Sequence, residues 1–383
     1  MNKILRGLLS LLLIFCCIFA VCACDSPAAP TEENNGLEEP AELSTVCLNV
    51  AENLSSSDQS KKVFRTRNRT FVRNNGLACD LTCSGIAFNV LCKGEMRVKF
   101  TTDADVYFTV YIDGVRRQER LLVEKEKSGT FIAVAQFDSY GAREIAIIKQ
   151  SQYPMALCEI NEVEISGSFG QRPAQSERFL EFYGDSVLNG SNIYTGGTSV
   201  KTSDGTLAFG YLAALSLQAD CNIVGRGGMG LYPKDTSTEG MNEIWDRCGT
   251  ARGNGSPYYD FGRMPDAVVV ELGDNDCLSD SYTDERYTQS IKEMVFNLRS
   301  VYGEDVKIIW CYGYLSVFNA KWGVAKKALD GLNENGSILY CPLPNCALSK
   351  EDGGDGYHPN VEMSADIAAA LAEFIGENIY GDQ

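Results

Sequence analysis

The sequence predicts an α/β protein, in which a parallel-sheet domain follows an all-β sandwich of jelly-roll type. Two changes of pattern carry that prediction. From about residue 63 to residue 168 apolar side chains recur every second position, most plainly where Val106, Phe108, Val110 and Ile112 alternate with Tyr107, Thr109 and Tyr111. This is the mark of strands with one buried face. After Gly170 short apolar runs alternate instead with stretches of helical spacing, which implies parallel strands covered by helices on both faces. At 383 residues the chain is long enough for both units and their cores.

The first residues read as an export signal. Lys3 and Arg6 precede an apolar run from Leu8 to Val21 that is too short to be a secure membrane span. Val21-Cys22-Ala23-Cys24 resembles the lipobox of bacterial lipoproteins. That resemblance implies removal of residues 1–23, lipidation of Cys24, and a membrane-anchored or cell-surface protein. The other reading is an ordinary signal peptide cleaved after Ala23, giving a secreted protein. Residues 24–58 are expected to form the anchor and a flexible linker, because the stretch from 25 to 46 is rich in Pro, Glu, Asn and Ala and poor in large apolar residues.

The sandwich is expected over 59–170, with strands at 86–92, 96–100, 106–112, 130–137, 144–149 and 156–165. Asp113-Gly114 supplies a hairpin turn. The second domain is expected over 176–383. Its strand-like runs lie at 179–183, 221–226, 267–273, 307–313 and 337–341. Its clearest helix spans 284–302, capped by Thr283, with Tyr287, Ile291, Met294, Val295, Leu298 and Val301 along one face. A last helix near 360–379 follows Pro359.

Composition narrows the partners. A net charge of −17 and a pI near 4.6 argue against nucleic acid, and against a membrane partner other than through an N-terminal lipid. A neutral polysaccharide suits such a surface. Eleven cysteines follow Cys24, an odd number, so export permits disulfides but leaves at least one thiol unpaired within the chain. One histidine and no paired Cys-x2-Cys units argue against a zinc site. The sequence predicts no metal and no cofactor.

Chemistry enters at Phe179-Leu180-Glu181-Phe182-Tyr183-Gly184-Asp185-Ser186, a short strand, a glycine break and a serine at its tip. A strand end fixes a nucleophile, and the following turn exposes it. Gly-Asp-Ser alone is common in turns, but three further sites follow in order: Gly228 in GRGGMG, Asn275 in LGDND, and Asp355 with His358 in DGYHP. This series resembles the SGNH (GDS-like) hydrolases, whose catalytic domain is flavodoxin-like. The resemblance implies Ser186 as nucleophile and His358, the sole imidazole, as its base. Asp355 would orient the ring. The Ser186 N–H, a glycine N–H and the Asn275 amide would stabilise the oxyanion. Gly228 is the glycine chosen, with Gly227 and Gly230 as alternatives. Asp274 and Asp276 are expected to shape the loop around Asn275.

The sandwich ahead of this domain, with Gly228-Met229-Gly230-Leu231-Tyr232, GAREIAIIK ending at Lys149, and Pro265-Asp266-Ala267-Val268-Val269, is similar to carbohydrate esterase family 2, over roughly residues 60–380. That likeness implies an acetylxylan-esterase-like enzyme removing acetyl groups from plant polysaccharides such as glucomannan or xylan. One departure concerns the acid. Relatives have a carboxylate two residues before the histidine or none, whereas here Gly356 holds that place and Asp355 lies three before. Tyr232, Trp245 and Tyr259 are named as aromatic platforms for sugar. The other readings are an SGNH lipase or acyl-ester hydrolase, and a glycan-binding surface lipoprotein without activity.

Overall fold

The structure is a computed structural model that describes residues 39–152, 157–235, 239–250, 255–314, 316–345 and 355–381. The export signal, Cys24, the linker up to residue 38 and Cys346 lie outside the described residues.

The first layer is an antiparallel sheet of ten strands. Its spine is a pair of long strands, Gly85–Thr102 and Phe131–Lys149, each pairing with the other along most of its length. The sequence predicts each as two strands, 86–92 with 96–100 and 130–137 with 144–149. In the structure Gly94 lies inside the strand, at a register shift between Cys92 and Gly94, where a bulge bends the strand without ending it. Asp113 and Gly114 both take positive φ, 52° and 76°, the two-residue turn expected between Val106–Ile112 and Val115–Arg116. Phe64, Phe88, Phe100, Phe108, Val98 and Val163 fill the enclosed core.

The linker expectation is corrected at its C-terminal end. Thr45–Asn49 is a strand paired antiparallel with Cys158–Phe169, and Val50–Ser55 is a helix capped by Asn49. Val50 and Ala51 are buried, so this segment belongs to the first layer. Two buried residues suffice to hold it there, too few to stand out among its polar neighbours.

The second layer holds five strands labelled here β1 (Phe179–Gly184), β2 (Asp220–Gly225), β3 (Ala267–Glu271), β4 (Ile308–Tyr312) and β5 (Ile338–Pro342). All neighbours are parallel, in the order β2-β1-β3-β4-β5. That is the flavodoxin-like order. Helices α1 (Phe209–Ser216), α2 (Asp284–Tyr302), α3 (Ser316–Asp330) and α4 (Val361–Ile375) accompany it. Thr283 Oγ1 accepts the Arg286 N–H at 3.1 Å to start α2, and Gly303 at φ 86° ends it. The chain order reverses between β2 and β3, on either side of β1, so ligands are expected outside the carboxyl ends of β1 and β3.

The two layers share a core. Leu81, Cys83, Ala87, Tyr111, Ala146 and Ile148 of the first pack into the same cluster as Leu180, Phe182, Ile223 and Val269 of the second. Arg69 pins them together. It is buried, donates from Nε to Glu181 Oε1 at 3.1 Å and from Nη2 to Tyr183 Oη at 2.6 Å, and its Nη1 reaches the Trp245 and Arg247 carbonyls.

Candidate active site

The site is assembled where β1 and β3 end. Gly184 closes β1 at a point of close approach, since a Cβ there would lie 2.5 Å from Glu271 Oε2 and 2.7 Å from the Leu188 side chain. Asp185 is buried, and its Oδ1 accepts the Val187 N–H at 3.0 Å, forming a tight turn. That turn leaves Ser186 half-buried between buried neighbours. The Ser186 carbonyl is held by the Ser191 N–H at 3.0 Å. Its own N–H and hydroxyl make no hydrogen bond among the described residues.

Past β2, the GRGGMG loop turns at Gly228, whose φ of 75° places it in the left-handed region. Gly228 is exposed, and its N–H has no partner among the described residues. The loop behind it is clamped by Asp276, which accepts the Leu231 N–H at 2.9 Å and the Tyr232 N–H at 3.4 Å. A Cβ at Gly230 would meet the same carboxylate at 2.7 Å. Asp276 therefore shapes the loop, as its motif position suggests, and burial pushes its carboxyl up to about 7.

Asn275 departs from expectation. Its Nδ2 donates to Asp185 Oδ2 at 2.7 Å and to the Met229 carbonyl at 3.1 Å. Both amide hydrogens are thus directed at internal acceptors, because two well-placed acceptors face them. Asn275 here cross-links the nucleophile turn to the glycine loop rather than presenting an unengaged donor. Of the three donors expected, the backbone N–H groups of Ser186 and Gly228 make no hydrogen bond among the described residues.

His358 and Asp355 form one unit. Asp355 Oδ2 lies 2.6 Å from His358 Nδ1, and its Oδ1 accepts the Tyr357 and His358 N–H groups, each at 2.9 Å. Burial opposes the charge on Asp355, but the imidazole and the two N–H groups outweigh it and hold the carboxyl at about 2. Asp355 is therefore a carboxylate throughout the neutral range. Three residues before the histidine is close enough, since Gly356 at φ 85° folds the turn back. His358 Nε2 is enclosed and has no hydrogen-bond partner among the described residues. It makes no bond to Ser186 in this structure, a bond that tightens in many hydrolases only when substrate is present.

Beneath the nucleophile lie three buried carboxyls that the sequence reading did not single out as a group. Oxygens of Asp185, Glu271 and Asp274 lie within 4.8 Å of one another. Burial first, and then their mutual repulsion, raises Asp185 and Glu271 above the usual carboxylate range. Such a set holds protons in place of a full negative charge. These three are the described residues arranged to hold a metal ion. A glutamate inside the apolar run VVVEL was the available signal.

Of the three named aromatics Tyr232 is buried, whereas Trp245 and Tyr259 are half-buried. The Tyr232 hydroxyl donates to the Asp276 carbonyl at 3.1 Å. Tyr259 lies under the Arg69 guanidinium, 4.1 Å from its ring centre, and accepts from Asn222 at 2.9 Å. Trp245 packs on Phe261 at 5.3 Å. Their loops look open in the sequence, but contacts distant along the chain draw the rings inward. Among the described residues the exposed rings are Tyr357, beside His358, Tyr258 and Phe296.

No protein-family model matches the chain. Among curated proteins it is similar to the cellulase/esterase CelE of Acetivibrio thermocellus, 24% identical over 226 residues. That match covers 54% of this chain and 26% of the relative, so the chain spans about a quarter of its length. Among solved structures it superposes on a family two carbohydrate esterase from Clostridium thermocellum in complex with cellohexaose, with a TM-score of 0.73, 20% identity, and 84% of this chain and 100% of that one covered. An acetyl xylan esterase from the rumen bacterium Butyrivibrio proteoclasticus gives a TM-score of 0.74 at 18% identity, covering 88% and 100%.

The chain has the fold of the family two carbohydrate esterases. Both layers are included, since each superposition spans more than four-fifths of the chain.

Proposed function

We propose that this protein is an exported carbohydrate O-acetyl esterase that removes acetyl groups from plant polysaccharides through a serine acyl-enzyme. The observation that carries the proposal is the Asp355–His358 pair, with Nδ1 engaged at 2.6 Å and Nε2 unengaged, within a fold shared with esterases. In this reading Ser186 Oγ attacks the acetyl carbonyl while His358 Nε2 takes its proton. The Ser186 and Gly228 N–H groups receive the oxyanion. As the bond between the acetyl carbon and the sugar oxygen breaks, the imidazolium gives its proton to that oxygen, and water then releases acetate from Ser186 with His358 acting again as base and then acid. Asp355 holds the ring in the tautomer that leaves Nε2 free to act as base.

The O6 preference that the family resemblance implies is supported by the exposed rim of the site. Gly228 and Tyr357 at its rim are exposed, and an open rim favours an acetyl on an exposed primary hydroxyl. Acetylated glucomannan, whose hexoses carry O6, is expected to lose acetate faster than acetylated xylan, whose pentoses have none. Time-resolved NMR of the polymer checks this. Disappearance of 2-O- or 3-O-acetyl signals ahead of 6-O-acetyl signals contradicts it.

A second reading, glycan binding at the same cleft without turnover, is favoured by the cellohexaose complex of the Clostridium thermocellum relative. The two separate in one experiment, because binding of cellohexaose with no release of acetate from any acetylated glycan supports the second alone. The anchor belongs to the proposal too. Wild-type protein is expected to fractionate with membranes and Cys24→Ser not to, and equal solubility of both excludes the lipid.

A further inference from the structure

One side chain joins the loop that carries Ser186 to the turn that carries His358. Asn192 lies six residues after the nucleophile, buried, at a φ of 55°. Its Nδ2 donates to Asp355 Oδ2 at 3.0 Å and its Oδ1 accepts the Gly197 N–H at 2.9 Å. Its own N–H donates to Ser203 Oγ at 3.3 Å, and its carbonyl accepts the Thr195 N–H at 2.9 Å. Every polar group of the residue is engaged, so its side chain has one orientation. The remaining hydrogen bonds of Asp355 come from Tyr357 and His358, within its own turn. Asn192 is therefore what keys that turn to the nucleophile.

The loop bearing Asn192 is itself gripped by the first layer. Arg120 donates to the carbonyls of Lys201 at 2.6 Å, Val200 at 3.2 Å and Ser203 at 3.3 Å. Arg116 donates to the buried Asp204 at 2.8 Å. The anchor at Asn192 thus stands on a fixed segment.

We propose that Asn192 is a positioning residue, holding the Asp355 carboxylate against His358 Nδ1 from the nucleophile's own loop. Its catalytic consequence rests on the esterase reading above; its geometric one does not. Asn192→Gly is the first test, because glycine keeps the left-handed backbone and removes only the amide. On p-nitrophenyl acetate kcat is expected to fall by about tenfold to a hundredfold, with KM changed by less than about twofold. In an Asp355→Asn background the same change is expected to have no further effect, since Asn192 acts through Asp355. A general loss of structure would instead multiply with Asp355→Asn.

If Asn192→Gly does not fold, Asn192→Asp replaces it. That change is isosteric and retains the acceptor for Gly197, but it can no longer donate to Asp355, and a comparable fall in kcat is expected. The chain has a single histidine, so ¹⁵N NMR of the untagged protein reads His358 without assignment. Wild type is expected to show the Nδ1–H tautomer of neutral imidazole, and the Asn192 variants a mixture of tautomers. An unchanged tautomer and a kcat within about twofold of wild type overturn the proposal, as does a loss that multiplies onto Asp355→Asn. If wild type hydrolyses no ester, the esterase reading fails, and the tautomer measurement still decides the role of Asn192.

Discussion

Ser186→Ala is expected to fold like the wild type and to lose ester hydrolysis by about 10⁴-fold or more. The side chain is half-buried and its hydroxyl bonds to no described residue, so removing it leaves no buried partner unsatisfied. The whole effect should therefore fall on kcat. Melting temperature and near-ultraviolet dichroism check the fold, and acetate release checks the chemistry. Retention of activity within about tenfold corresponds to a barrier change of only about 1.4 kcal/mol and would remove Ser186 from the mechanism.

The second large effect concerns stability. Arg69 and Glu181 are both buried, with Glu181 also accepting from the Tyr302 hydroxyl and from Asn222 at 3.3 Å. Replacing Arg69 with methionine strands a carboxylate in the interior. A broken buried pair of this kind costs about 3–5 kcal/mol, a large part of the total stability of about 5–15 kcal/mol typical of a folded protein. Arg69→Met is expected to shift the urea midpoint sharply downward or to yield insoluble protein. Adding Glu181→Gln should recover much of the loss, because the stranded charge is then gone. A single variant as stable as wild type would contradict a shared core between the layers.

The two effects mark what sequence reasoning reaches. Ser186, Gly228, Asp355 and His358 sit in turns whose chemistry is local: a glycine where φ is positive, a small residue where strands crowd, a polar side chain at a strand end. Such signals survive in a short window. The alternating strands and the face of α2 were legible for the same reason, as was the two-residue turn at Asp113-Gly114. The continuity of the strand through Gly94 was not legible, because a bulge and a turn use the same residue types, and only the paired strand distinguishes them.

Arg69 and Asn192 were illegible for a different reason. In RTRNRT an arginine reads as a solvated charge, and in NGSNIYTGG an asparagine reads as a turn former. Their partners, Glu181 and Asp355, lie more than a hundred residues away. Long-range pairing of polar groups leaves no periodic trace. The contact between Tyr259 and Arg69 was illegible in the same way, since its partners lie far apart along the chain. Asn275 turns its amide to Asp185 and Met229, a detail set by two acceptors on separate loops.

The central claim is that Ser186 is a nucleophile activated by His358, and covalent labelling tests it most directly. An organophosphonate carries a leaving group that an activated serine displaces, and the adduct remains for mass spectrometry. The account predicts one adduct per chain, on the peptide containing Ser186. It also predicts loss of labelling in Ser186→Ala and labelling slowed by about a hundredfold or more in His358→Ala. An adduct on another residue, or esterase activity that persists in protein fully labelled at Ser186, would contradict it.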